Sequence, residues 1–170
     1  MSMSEGLRER KKREARQHIS DVATRLFAGR GFETVTIVEI AEAAGVAKAT
    51  VTNYFPRKED LLLDLQDEAE QLLIDAIRDR PAGQPVVEAV RALQHRLLSE
   101  RHALSAAAPG MAWFAHLIAE SPALLSRARE QRDYLESAAA RQLTEETGNP
   151  VSADLVARLL MAAATTSATL

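Results

Sequence analysis

This chain of 170 residues predicts an all-α fold in two parts, on three observations. Its apolar residues are dominated by 31 Ala and 21 Leu, against 16 Val and Ile together. That balance favours helix over strand, because unbranched side chains lose little rotamer freedom in a helix. Apolar positions recur at spacings of three and four along most of the length, with no alternating strand pattern and no internal repeat. Charge is divided as well: residues 1–58 carry 11 Lys and Arg against 7 Asp and Glu, and residues 59–170 carry 10 against 17. The net charge of −3 therefore conceals a basic head on an acidic body, which suits a head that meets a polyanion and a body with another task.

The elements follow in order. In RQHISDVATRLFAGRGF, Ile19, Val22, Ala23, Leu26 and Phe27 form one face of an amphipathic helix that Gly29 and Gly31 are expected to stop. ETVTIVEIAEAAG reads as a short helix capped by Thr36, with Glu39 at the capping-box spacing and Gly45 as its stop; Ile37, Ile40, Ala41 and Ala44 face inward. VAKATVTNYF is too short to be a stable helix alone and precedes Pro56, so it must lean on its neighbours. From Arg57 to Arg80 the stripe Leu61, Leu62, Leu65, Ala69, Leu72, Leu73, Ala76 and Ile77 predicts one long connecting helix that ends before Pro81 and Gly83. Four more helices are expected: Pro85 to Glu100, Met111 to Glu120, Pro122 to about Glu146, and Ala153 to the end. The last pattern has no stop signal, so either a partner covers that end or the chain is shortened after residue 170.

Several function classes drop out. The absence of cysteine excludes disulfides, thiolate metal sites and cysteine nucleophiles. The first twenty residues are charged where a secretory signal needs an apolar stretch. The longest uncharged helical run, Leu159 to Leu170, falls short of the roughly 20 residues that span a bilayer. A cytoplasmic protein with no membrane partner is expected. His95, His102 and His116 lack a metal-binding spacing, and there is no Gly-rich phosphate loop, nucleophile motif or recognisable acid pair. No metal, no cofactor and no enzymatic activity are expected.

The informative unit is Thr36 to Tyr54, two short helices joined at Gly45 in the layout of a helix-turn-helix. Ala47, Val51 and Phe55 recur every four residues and are expected to pack on the preceding helix, leaving Lys48 with Thr52 and Ala49 with Asn53 on the opposite face. That slim, polar, cationic face fits a major groove about 12 Å wide. The same residue types suit a surface helix in a bundle, and spacing alone leaves both readings open.

TIVEIAEAAGVAKATVTNYFPRKEDLL, preceded by ATRLFAGRGFE, resembles the DNA-binding head of TetR-type transcriptional regulators. The likeness is specific over residues 16–65 and limited to helix count and order beyond them. It implies a three-helix head, residues 1–58 with a basic arm over about 1–16, joined to a ligand-binding and dimerisation body, residues 59–170. The implied function is a repressor that binds a palindromic operator in double-stranded DNA as a homodimer and is released by a small-molecule effector. An activator of the same fold, or a helical ligand-binding protein without DNA function, are the alternatives.

By position, the resemblance assigns Lys48, Ala49, Thr50 and Asn53 to base or phosphate contacts, Thr36 and Tyr54 to phosphates, and Lys58 to the DNA backbone. Thr52 stands where the family commonly has Tyr, a smaller side chain at that contact. The arm, with Arg8, Arg10, Lys11, Lys12, Arg13 and Arg16, is either a solvated helix extension or a segment that orders on DNA. Leu72, Ile77, Met111, Trp113, Phe114, His116 and Tyr134 are the expected pocket residues, although Trp113 and Phe114 also read as ordinary core. Leu155, Leu159, Leu160 and Ala163 form the expected dimer stripe, on a helix that the family follows with one more.

Overall fold

The computed structural model describes residues 3–105, 108, 110–154 and 156–158, with side chains from residue 6 onward. Regular structure among the described residues is helical throughout, and the chain divides into two compact units, residues 1–64 and 65–170.

The first unit begins with α1, Met3–Arg30, so the basic arm is a helical extension of the first core helix. Gly29 does not stop it. A glycine inside a helix costs about 1 kcal/mol relative to Ala but keeps its backbone hydrogen bonds, and the helix ends only at Gly31, whose φ of +82° is left-handed and whose N–H donates to Phe27 O. α2 (Ile37–Ala44) and α3 (Lys48–Tyr54) pack with α1 around Ile19, Phe27, Val35, Ile40, Val51 and Phe55. A 3-10 turn, Lys58–Leu61, closes the unit by burying Leu61 and Leu62 in the same core. The buried Ser20 hydroxyl donates to Leu61 O at 3.1 Å and ties that turn to α1.

The expected helix from Arg57 to Arg80 is thus interrupted. Between the 3-10 turn and the start of α4 (Gln66–Arg78) the chain makes turns over 62–65, and α4 spans 13 residues. The leucine spacing suits a continuous stripe, but Leu61 and Leu62 are buried in the first unit whereas Leu73 and Ile77 are buried in the second. Two cores compete for one apolar stripe, and the helix breaks between them.

In the second unit α4 is followed by α5 (Val86–Ser99), α6 (Met111–Glu120) and α7 (Pro122–Thr147). Ser121 caps α7 by accepting from Leu124 N at 3.3 Å, with Pro122 at the first helical position, where its missing N–H costs nothing. After the left-handed Gly148, Asn149 Oδ1 accepts from Ser152 N at 3.2 Å and a last helical segment starts at Pro150, earlier than the expected Ala153. The core joins α4, α5, α7 and this segment through Leu73, Ile77, Val90, Ala139, Leu143, Ala153 and Ala157. Arg80 reinforces it, pairing with Glu146 at 2.6 Å and donating to Gln84 O at 3.1 Å.

Candidate nucleic-acid interface

The helix-turn-helix is built by short-range hydrogen bonds. Thr36 accepts from Glu39 N at 3.2 Å, and the Glu39 carboxylate accepts from both Thr36 N and Thr36 Oγ1 at 2.8 Å, a complete capping box at the start of α2. Arg30, at the end of α1, adds an ion pair to Glu39 at 2.6 Å. The Arg30 hydrogen bond first, and the two from Thr36 after it, hold the Glu39 carboxyl down at about 2. At the other end of α2 Gly45 sits at φ +67°, with Gly45 N donating to Glu42 O at 3.1 Å and Val46 N to Ala41 O at 3.0 Å. This left-handed residue reverses the chain into α3 and sets the angle between the two helices.

α3 is fastened by Val51 and by Phe55 just after it, both 0% exposed. Ala47, expected beside them, is exposed: it is the residue preceding the first helical turn, still in extended conformation, so helical spacing does not reach it. Lys48, Ala49, Thr52 and Asn53 are exposed together on the outer face, and Thr50 is half-buried at its edge. The Thr52 hydroxyl turns back on its own helix, donating to Lys48 O at 3.3 Å and Ala49 O at 3.2 Å. Thr36 is exposed, but its hydroxyl is committed to the capping box, and Tyr54 is half-buried at the end of α3.

Two cations hold this unit together. Arg16 Nη1 donates to Tyr54 O at 2.9 Å while its guanidinium lies 4.5 Å from the centre of the Phe55 ring, which fixes the end of α3 to α1. Its inward position was readable, since Arg16, Ile19 and Ala23 follow the spacing of three and four. Lys58 Nζ donates to Phe32 O and Glu33 O and lies 4.3 Å from the centre of the Phe32 ring. Burial pushes its pKa down. Lys58 therefore closes the head from within; nothing in local spacing signals those carbonyl partners.

This geometry has a counterpart among known proteins. The family of bacterial regulatory proteins, tetR family, matches over residues 19–65, the span that contains α2, the Gly45 turn and α3. The HTH-type transcriptional regulator TcmR of Streptomyces glaucescens is 29% identical over 161 residues, covering 92% of this chain and 71% of TcmR. The first unit is similar to the helix-turn-helix head of TetR-family regulators. AcrR of Shigella flexneri, another HTH-type transcriptional regulator, is 42% identical over 57 residues, or 34% of this chain and 26% of AcrR. The structure of Salmonella enterica GusR shares the fold, with a TM-score of 0.53 and 18% identity over 89% of this chain and 80% of GusR. The chain is a DNA-binding transcriptional regulator, with its helix-turn-helix in the first unit.

The second unit disperses the expected pocket residues. Ile77 is sealed in the core, Met111, Trp113 and Phe114 are half-buried on α6, and His116 is exposed beside Glu120 at 3.3 Å. Tyr134 is exposed on α7, where Glu70 raises its pKa. Leu72 alone of the seven lines the cleft of about 410 Å³ between α4 and α5, together with Ala76, Arg80, Ala89, Leu93 and Arg96. The expected dimer residues Leu155, Leu159, Leu160 and Ala163 lie outside the described residues. Among the described residues no helix is long and apolar enough to cross a membrane, and no three His, Asp or Glu side chains are grouped to hold a metal.

Proposed function

We propose that α3 enters the major groove of a palindromic operator, that two copies of the chain bind the two half-sites, and that a small-molecule effector in the body releases the DNA, making the protein a cytoplasmic repressor. The first unit is then the DNA-binding domain and the second the regulatory and dimerisation domain. The observation that carries the reading is the outer face of α3, where Lys48, Ala49, Thr52 and Asn53 are exposed on a helix pinned from below by two fully buried residues. A recognition helix must present small polar and cationic groups from a fixed position, and an exposed outer face above the buried Val51 and Phe55 supports that role for α3. Half-sites about 34 Å apart, one helical turn, then require a two-fold dimer.

Release follows from differential affinity. A 100-fold loss of operator affinity needs an effector that favours the released form by roughly 2.7 kcal/mol, an ordinary allosteric coupling. The signal has to cross the turns over 62–65, where the expected long helix is interrupted.

The test starts by selecting a bound sequence from random duplexes and measuring affinity by fluorescence anisotropy. Lys48→Ala and Asn53→Ala should each weaken binding by about 1–3 kcal/mol and relax base preference at the contacted positions. If the double variant binds as tightly as the parent, with the same preference, this face of α3 is not the reading head.

A further inference from the structure

Eleven residues make about three turns of α-helix, so side chains that far apart share a face. Arg8, Lys11 and Lys12 are therefore in register with Ile19, Val22 and Ala23, which are buried against the rest of the head. The basic stripe continues, toward the N-terminus, the face of α1 that packs on the helix-turn-helix. Arg16 marks where the cover ends: its guanidinium reaches Tyr54 O at the end of α3, and every described side chain from residue 6 to residue 14 is exposed. At 1.5 Å per residue Lys12 lies about 6 Å and Arg8 about 12 Å beyond Arg16 along the axis.

The charges on this face are also unopposed. Arg8, Lys11 and Lys12 have no ion-pair partner among the described residues, whereas Arg10 is paired with Glu14 at 3.6 Å and Arg10 and Arg13 are on the far side of the helix. A row of three cations beside the end of α3 matches a polyanion whose charges lie along a line. Duplex DNA carries one phosphate about every 3.4 Å on each strand. A membrane surface fits less well, because an interfacial helix needs an apolar face and residues 6–14 offer only Leu7.

We propose that Arg8, Lys11 and Lys12 form a second DNA-binding element, a sequence-independent phosphate track that prolongs the contact made by α3. The inference rests on α3 being the reading head, and the stripe raises affinity and its salt dependence without altering base preference. Each neutralised phosphate contributes about 0.9 to the slope of log affinity against log salt.

The experiment compares two variants of equal charge in the full chain, Arg8→Ala/Lys12→Ala and Arg10→Ala/Arg13→Ala, on a selected operator with long flanks. Ala suits a helix, and far-UV circular dichroism checks that α1 persists. The first pair should lower the salt slope by about 1.8 for each bound head, with base preference unchanged, and the second by much less. Equal reductions by the two pairs would show diffuse attraction rather than a track and would overturn the inference. So would an unchanged slope in the first pair, including the case where that pair instead loses binding to anionic phosphatidylserine vesicles. In both cases a Lys48→Ala variant that still loses operator binding leaves the reading of α3 standing. A parent that binds no duplex at low salt would remove both.

Discussion

Replacing Gly45 by Ala isolates one structural cause. Gly45 holds φ at +67°, and an added Cβ would meet nothing within 4 Å, so the substitution introduces backbone strain and no clash. For an L-residue with a Cβ the left-handed conformation costs roughly 1–2 kcal/mol. Asn tolerates that region better, so Gly45→Asn should cost less. The loss should be read where the head is tightest, at the Phe55 amide, which donates to Val51 O at 2.8 Å. If that amide exchanges by opening of the whole head, a loss of 1–2 kcal/mol accelerates its hydrogen exchange about 5- to 30-fold. The lone tryptophan is in the second unit, at position 113, so fluorescence would miss the event. Operator affinity should change little, because a head weakened by this amount is still almost entirely folded. Exchange at Phe55 as slow in Gly45→Ala as in the parent would refute the claim that a left-handed residue sets the turn. A loss of affinity beyond tenfold with intact exchange would show that the turn steers α3 and not only its stability.

Two further outcomes follow from the charged groups of the head. With its carboxyl at about 2 in the fold and 4.5 as the ordinary value, Glu39 stabilises the head above pH 4.5, and that contribution is lost as pH falls through about 2. Acid unfolding followed by circular dichroism should show the parent losing stability across this window, and Glu39→Gln a flatter profile. Lys58→Met removes two carbonyl hydrogen bonds and the contact with Phe32 while keeping an apolar stem. It should destabilise the head by about 1–3 kcal/mol in urea unfolding read by amide exchange. The operator salt slope should hold steady, and a drop of about one would return Lys58 to a phosphate contact.

Much of the head was legible because its instructions are local. Thr36 and Glu39 are three residues apart, and a capping box needs nothing else. Gly45 announces the turn because few other residues accept its backbone angles. The same holds for Ser121-Pro122 and for Gly148, whose neighbours complete their hydrogen bonds. Less legible was which apolar residue meets which. Ile77 and Leu72 belong to one helical stripe, yet Ile77 is sealed in the core and Leu72 lines a cleft.

By itself, then, the sequence determined the helices whose ends are written within one turn of chain, the two-part division of charge, and the outer face of α3. Hydrogen bonds and dihedral preferences act over three or four residues, and a linear reading can see that far. Tertiary structure alone decided that the stripe from Arg57 to Arg80 breaks, with Leu61 and Leu62 buried in the first unit and Leu73 and Ile77 in the second. It decided too that Lys58 turns inward to Phe32, because that carbonyl, 26 residues away in sequence, comes into reach only after the turn folds against α1. Burial depends on what packs opposite, and the opposing residues are distant in the chain.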